Sequence, residues 1–108
     1  MTTEEALARW DTAARRVRVA GEAWRRMHDL MKQHSHYYDD PPHPEVAAMR
    51  VRANRVWAEY LRRGHEEYEP ARLAYDDAVC AERGITRAQL DAEQSAFAAR
   101  VIAELDAE

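Results

Sequence analysis

The sequence is poor in the residues that build turn-rich or cross-linked folds. It contains three glycines, four prolines and a single cysteine, Cys80. Because β-sandwiches and β-barrels need frequent turns, the shortage of glycine and proline excludes both architectures. One cysteine also excludes an internal disulfide framework and a zinc site built from several cysteines.

Long apolar stretches are missing as well. No run approaches the roughly 18–20 apolar residues that a membrane-spanning helix needs. The opening residues Met1–Glu5 lack the basic start and the apolar segment of a signal peptide. We therefore expect a cytoplasmic protein that makes no membrane contact.

Alanine and arginine are abundant instead, and both favour helices. Fifteen of the 16 basic residues are arginine, which is compatible with a bacterial or phage coding sequence. Much of the 46% apolar content is alanine, so few large side chains remain for a core. The length of 108 residues fits one domain, residues 1–108, which we predict to be all-α.

Apolar residues at alternating spacings of three and four predict a first helix over about residues 2–34. Thr2 and Glu5 have the spacing of a capping box at its start. This α1 row consists of Leu7, Trp10, Ala14, Val17, Gly21, Trp24, His28 and Met31. A stripe of this kind packs against partner helices.

Two further helices follow a loop that contains Asp40-Pro41-Pro42. The second spans about residues 44–83, with a kink near Gly64–Pro70 because a proline inside a helix removes one hydrogen bond. The third spans about residues 87–106 and starts with a capping box of Thr86 and Gln89. Together they predict an antiparallel three-helix bundle, in which the third helix folds back on part of a long hairpin.

The third helix is too short to cover the α1 row by itself, since the row belongs to a helix about 33 residues long. An exposed apolar stripe is unfavourable in water, so we expect a homo-oligomer or a protein partner. The predicted interface consists of Leu7, Trp10, Val17, Trp24, His28 and Met31.

Charge is divided along the chain, with a net of +3 over residues 1–63 and −7 over residues 64–108. The hairpin is expected to bring basic side chains from two helices to one flank. The residues concerned are Arg15, Arg18, Arg25, Arg26, Arg52, Arg55 and Arg62. Such a flank either contacts phosphates of a nucleic acid or forms a solvated face that pairs with the acidic half.

The hairpin tip combines imidazoles with carboxylates, which are ligands for zinc and other first-row metals. The candidate ligands are His34, His36, Asp39, Asp40 and His43. The spacing matches no established metal motif, so no cofactor is predicted. The alternative is a polar loop whose Tyr37 and Tyr38 pack back onto the helices or contact a partner.

Motifs of common enzyme classes are absent, including a glycine-rich phosphate loop and a nucleophile elbow. The leading hypothesis is therefore a non-enzymatic protein–protein interaction module with a regulatory, inhibitory or assembly role. Nucleic-acid binding through the arginine flank is the first alternative. A small helical enzyme or metal-binding protein that uses the hairpin tip is the second.

Overall fold

The computed structural model describes all 108 residues and contains only helices. They are α1 (Thr3–Lys32), α2 (Pro44–Arg63), α3 (Glu69–Arg83) and α4 (Arg87–Asp106). A π-helical turn, Gly64–Tyr68, joins α2 to α3 without a break. The predicted all-α fold of a long hairpin and a shorter third helix is confirmed.

The start of α1 depends on Thr2, whose hydroxyl oxygen accepts a hydrogen bond from the Glu5 N–H at 3.1 Å. The reciprocal bond from the Glu5 side chain, expected from the capping-box spacing, does not form. The helix ends at Lys32, two residues earlier than predicted. The backbone then turns through residues 33–43 into α2.

The π turn explains why the helical backbone is not interrupted at Pro70. Within it the Glu69 N–H donates to the Gly64 carbonyl, five residues back instead of four. A proline ring clashes with the carbonyl of the preceding helical turn. Widening that turn makes room for the ring, so the helix continues from residue 44 to residue 83.

Helix α1 packs antiparallel to α2 and α3. Its start meets the end of α3 through the Thr3–Glu82 hydrogen bond, and its end meets the start of α2 through His34 and Glu45. The most buried row is alanine: Ala6, Ala13 and Ala20 are buried on α1, as are Val46 and Ala53 on α2 and Ala71 on α3. Small side chains allow the two helix backbones to approach closely.

The larger residues of the α1 row are therefore displaced from the centre of this contact. Trp10, Val17, Trp24 and His28 lie half-buried beside the alanine row. The row Ala6, Ala13, Ala20, which the heptad pattern makes a flank, is the centre instead. Bulky rings at the centre would force the helices apart.

Helix α4 leaves the hairpin at its base. Gly84 ends α3 in the left-handed conformation (φ 67°), which glycine adopts without strain. The predicted capping box forms, with Gln89 N–H donating to Thr86 and Thr86 N–H donating to Gln89. Because α4 contacts α3 and no other helix, it covers only the base of the hairpin instead of lying along it.

The resulting shape is open, with extents of 59 × 40 × 18 Å. The radius of gyration is 20.1 Å, against about 13 Å for a compact domain of this length. The solvent-accessible area is 7998 Å², against roughly 6,200 Å² for a compact monomer of this mass. No helix combines the length and the apolarity that crossing a bilayer requires.

Candidate functional site

A groove of about 940 Å³ runs between α1 and the α2–π segment, beside the alanine row. Its apolar lining consists of Ala14, Val17, Trp24, Trp57, Tyr60, Leu61 and Tyr68. Trp57 and Leu61 remain 40% and 41% exposed, so two large apolar side chains face the open groove. An apolar concavity of this size is a typical place for a partner side chain or helix to bind.

Aromatic contacts hold the walls of the groove in place. The ring centroids of Trp24 and Trp57 lie 4.9 Å apart, and Tyr60 stacks on Trp57 at 5.2 Å. His28 stacks on Trp24 one turn farther along α1, at 5.0 Å. Gly21 lets the Tyr60 ring approach α1, since a Cβ at that position would lie 3.2 Å from Tyr60 Cε2. The groove is thus preformed.

The charged rim of the groove carries Arg18, Arg25, Glu22 and Glu69. Glu69 is paired with Arg72, and this hydrogen bond lowers the pKa of its carboxyl. Arg18, Arg25 and Glu22 form no ion pair within the chain. The unpaired charge at the rim is therefore one unit positive.

Helix α4 presents an apolar face that nothing in the chain covers. Phe97, Ile102 and Leu105 are 61%, 58% and 61% exposed. All ten residues from 91 to 100 are exposed, and Leu90 is the one buried residue of the helix. We call α4 the arm.

The arm is nevertheless held at a defined angle where it leaves α3. Arg83 donates two hydrogen bonds to Glu93, and Arg87 donates to Asp77 and to the Leu73 carbonyl. Both ion pairs connect the end of α3 with the start of the arm. The apolar face of the arm is thus presented at a fixed position. The arm as a whole is acidic, with five carboxylates and one arginine over residues 91–108.

The hairpin tip gathers three imidazoles. The ring centroids of His34 lie 5.7 Å from those of both His36 and His43, and His36 stacks on His43 at 4.3 Å. Glu45 Oε2 lies 2.8 Å from His34 Nε2, and this hydrogen bond lowers the pKa of Glu45. His36 Nδ1 lies 2.8 Å from Asp39 Oδ2. We call these five residues the histidine cluster.

The cluster overlaps the predicted metal ligands but differs from them in two residues. His34, His36, His43 and Asp39 are brought together as expected, whereas Asp40 forms no hydrogen bond with any of them. Glu45 was missed by the sequence analysis. Its position in the sequence could have indicated it: Glu45 lies two residues after His43 at the start of a helix, where the free backbone N–H groups favour a carboxylate.

The tyrosines of the tip do not pack back onto the helices as a pair. Tyr38 is 90% exposed. Tyr37 is half-buried and lies under the guanidinium of Arg50 at 5.9 Å. The tip therefore exposes one aromatic ring beside the histidine cluster.

The predicted arginine flank divides into two groups. Arg62 is engaged by Glu59, Glu66 and Glu67, so it offers little free charge. Arg15, Arg18, Arg25, Arg26, Arg52 and Arg55 are exposed and form no ion pair. Arg18 and Arg25 line the groove, and Arg25 and Arg26 line a smaller cleft with Asp29.

The predicted interface residues of α1 also divide. Val17 and Trp24 line the groove, and His28 stacks beside it. Trp10 packs against Tyr68 of the π turn and Tyr75 of α3, and its indole nitrogen is buried without a hydrogen-bond partner. Leu7 is 39% exposed and Met31 is buried at the tip end of the hairpin.

In comparisons with protein-family models, curated proteins and solved structures, the chain has no significant match. The groove, the arm and the histidine cluster are therefore the features from which a function is inferred.

Proposed function

We propose that the protein is a non-enzymatic protein–protein interaction module that assembles with a second copy of itself, the arm of each copy lying in the groove of the other. The observation that carries this proposal is the uncovered apolar face of the arm, where Phe97, Ile102 and Leu105 are each more than half exposed. A regulatory, inhibitory or assembly role, in a bacterium or a phage, is the setting that suits such a module.

The exposed area supports association. The chain exposes 7998 Å², which is about 1,800 Å² more than a compact monomer of the same mass. A standard protein–protein interface buries about 800 Å² on each partner. The chain thus exposes more additional surface than one partner of a standard interface buries, and the arm and the groove are part of that exposed surface.

The dimensions of the arm and the groove also agree. Along α1 the groove extends from Ala14 to Arg25, which corresponds to about 16 Å of helix. The exposed apolar residues of the arm extend from Phe97 to Leu105, or about 12 Å. A two-fold axis makes the contact reciprocal, so each copy uses both surfaces and the assembly closes as a dimer.

Charge favours the same pairing. The arm bears Glu104, which forms no ion pair within the chain, beside Phe97 on the helical wheel, and residues 91–108 have a net charge of −4. The groove rim offers Arg18 and Arg25 against one unpaired carboxylate, Glu22. Complementary charge at the rim speeds association and fixes the orientation of the arm.

Sedimentation equilibrium on the full chain tests the proposal. The native chain is expected to dimerise, and Phe97→Glu is expected to raise the dimer Kd by at least about 30-fold, the effect of removing an interface hot spot. Val51→Glu is the matched control, because Val51 is 60% exposed and Phe97 is 61% exposed. A native monomer at high micromolar concentration, or equal loss in both variants, refutes arm-mediated pairing.

A mixing experiment distinguishes arm-in-groove pairing from arm-to-arm pairing. Leu61→Glu places a charge in the groove and Phe97→Glu places one on the arm. Each variant alone is expected to be monomeric, while their mixture retains one intact contact and forms a weaker heterodimer. If Leu61→Glu dimerises like the native chain, the arm binds elsewhere and the groove has no part in assembly.

Nucleic-acid binding is the second candidate, because six of the seven predicted arginines form no ion pair within the chain. Such binding weakens steeply with salt. The double substitution Arg25→Ala with Arg55→Ala is expected to abolish it. Duplex and single-stranded DNA and RNA are the probes. This candidate is eliminated if no binding is detected at low salt, or if the double substitution leaves binding unchanged.

A further inference from the structure

The histidine cluster lies at the end of the molecule that neither the groove nor the arm reaches. Its ligand-type atoms come from the loop between α1 and α2 and from the first turn of α2. His34 follows α1, His43 caps α2, and Glu45 belongs to the first turn of α2. The site is therefore independent of the proposed self-association.

We propose that His34, His43 and Glu45 bind one Zn²⁺ ion per chain. One ligand atom from each of the three residues lies within 4.8 Å of the other two. Ligand atoms around a tetrahedral zinc ion are about 3.3 Å apart, given bonds of 2.0–2.1 Å. Side-chain rotations that move the ligand atoms by less than about 2 Å thus bring them to coordination distance. Two imidazoles with one carboxylate form an established ligand set for this ion.

Coordination through Nε2 requires the protons of the two rings to move. His34 Nδ1 accepts a hydrogen bond from the His36 N–H at 3.1 Å, and His43 Nδ1 accepts one from the Glu45 N–H at 3.2 Å. In the neutral rings the proton then sits on Nε2, and His34 donates it to Glu45. Coordination through Nε2 transfers each ring proton to Nδ1, so the two backbone N–H groups turn to water. Both groups are at the exposed tip, where water reaches them.

His36 and Asp39 support the same site from its edge. The carboxylate of Asp39 accepts the Nδ1 proton of His36, which leaves the Nε2 lone pair of His36 free. A carboxylate in this position orients a metal-binding imidazole in many sites. The His36 ring also stacks on His43 at 4.3 Å and so restricts the orientation of that imidazole.

Cobalt and zinc titrations test the site on the full chain, free of any histidine tag and stripped with chelator. We expect one Zn²⁺ per chain by calorimetry, and visible absorption bands of tetrahedral Co²⁺ that zinc displaces. Glu45→Gln is expected to weaken binding of both ions at least tenfold and to remove the tetrahedral bands. The circular dichroism spectrum reports that each variant keeps its helices.

Asp40→Asn is the matched control, since Asp40 is an exposed carboxylate of the same loop outside the cluster. It is expected to bind both ions like the native chain. Equal loss in the two variants indicates a general attraction of the acidic loop and overturns the proposal. The proposal is also overturned by a stoichiometry other than one, by unchanged binding in Glu45→Gln, or by no binding at about 0.1 mM ion.

Discussion

Arg83 holds both carboxylate oxygens of Glu93, with Nη1–Oε2 at 2.7 Å and Nη2–Oε1 at 2.8 Å. The pair joins the last turn of α3 to the second turn of α4 across a connection of three residues. Two parallel hydrogen bonds fix direction as well as distance. This contact therefore helps to set the angle at which the arm leaves the hairpin.

Arg83→Gln is expected to loosen the arm without unfolding the hairpin. The pair is exposed, so its loss leaves the midpoint of urea unfolding nearly unchanged. Backbone ¹⁵N order parameters over residues 91–105 are expected to fall, measured on the Leu61→Glu background so that no second copy holds the arm. Arg100→Gln is the control, since Arg100 forms no ion pair and its guanidinium lies 5.9 Å from the Phe97 ring centroid on the same helix. If the arm stays rigid in Arg83→Gln, the contacts of Leu90 and Arg87 are sufficient to hold it against α3.

Val46→Ala is expected to lower the free energy of unfolding by about 2 kcal/mol, from two lost methyl groups and the cavity they leave. Val46 is the largest side chain with no solvent exposure. Val51→Ala, at a position that is 60% exposed, is expected to change stability by less than about 0.5 kcal/mol. Urea denaturation at one protein concentration compares the two. Equal effects contradict the placement of the α1–α2 contact.

Ala13→Leu is expected to destabilise the hairpin by about 1–3 kcal/mol through overpacking. Ala13 is 5% exposed and belongs to the buried alanine row of α1. Ala8→Leu is the control, because Ala8 lies on an exposed face of the same helix. Thermal unfolding reports both, and a stabilised Ala13→Leu variant means that the two helices are farther apart.

Acid is expected to destabilise the fold as the pH falls from about 4.5 towards 2. Hydrogen bonds from Arg62 and Arg63 lower the pKa of Glu59 from 4.5 to about 2. The unfolded chain therefore takes up this proton first, so the stabilisation is complete above pH 4.5 and is lost through the folded pKa. Glu59→Gln is expected to flatten the pH dependence of urea unfolding. Asp11→Asn is the control, because Asp11 is exposed and forms no ion pair within the chain.

The sequence predicts the elements well because local signals determine them. Thr86 with Gln89, Gly84 and the Asp40-Pro41-Pro42 stretch mark their ends by capping and backbone chemistry. The heptad pattern also locates the apolar side of α1. It does not reveal which of two adjacent rows is central, since Ala13 and Trp10 are both apolar and only packing against a second helix selects the smaller.

The candidate sites are less predictable for the same reason. Glu45 joins His34 because the hairpin closes at that register, which no local pattern specifies. The exposed face of the arm depends on the angle at Gly84 and on the Arg83–Glu93 pair. Contacts between distant residues decide both features, and a single sequence does not display them.

The π turn also determines how far the residues that follow it are rotated about the helix axis. Five residues there complete less rotation than five residues of α-helix, so Gly64–Tyr68 sets where every later side chain points. Conversion of this turn to α geometry would rotate α3 by roughly the 100° that one helical residue contributes. The arm would then leave on a different side of the hairpin. A single widened turn beside Pro70 thus sets the direction in which the arm leaves the hairpin.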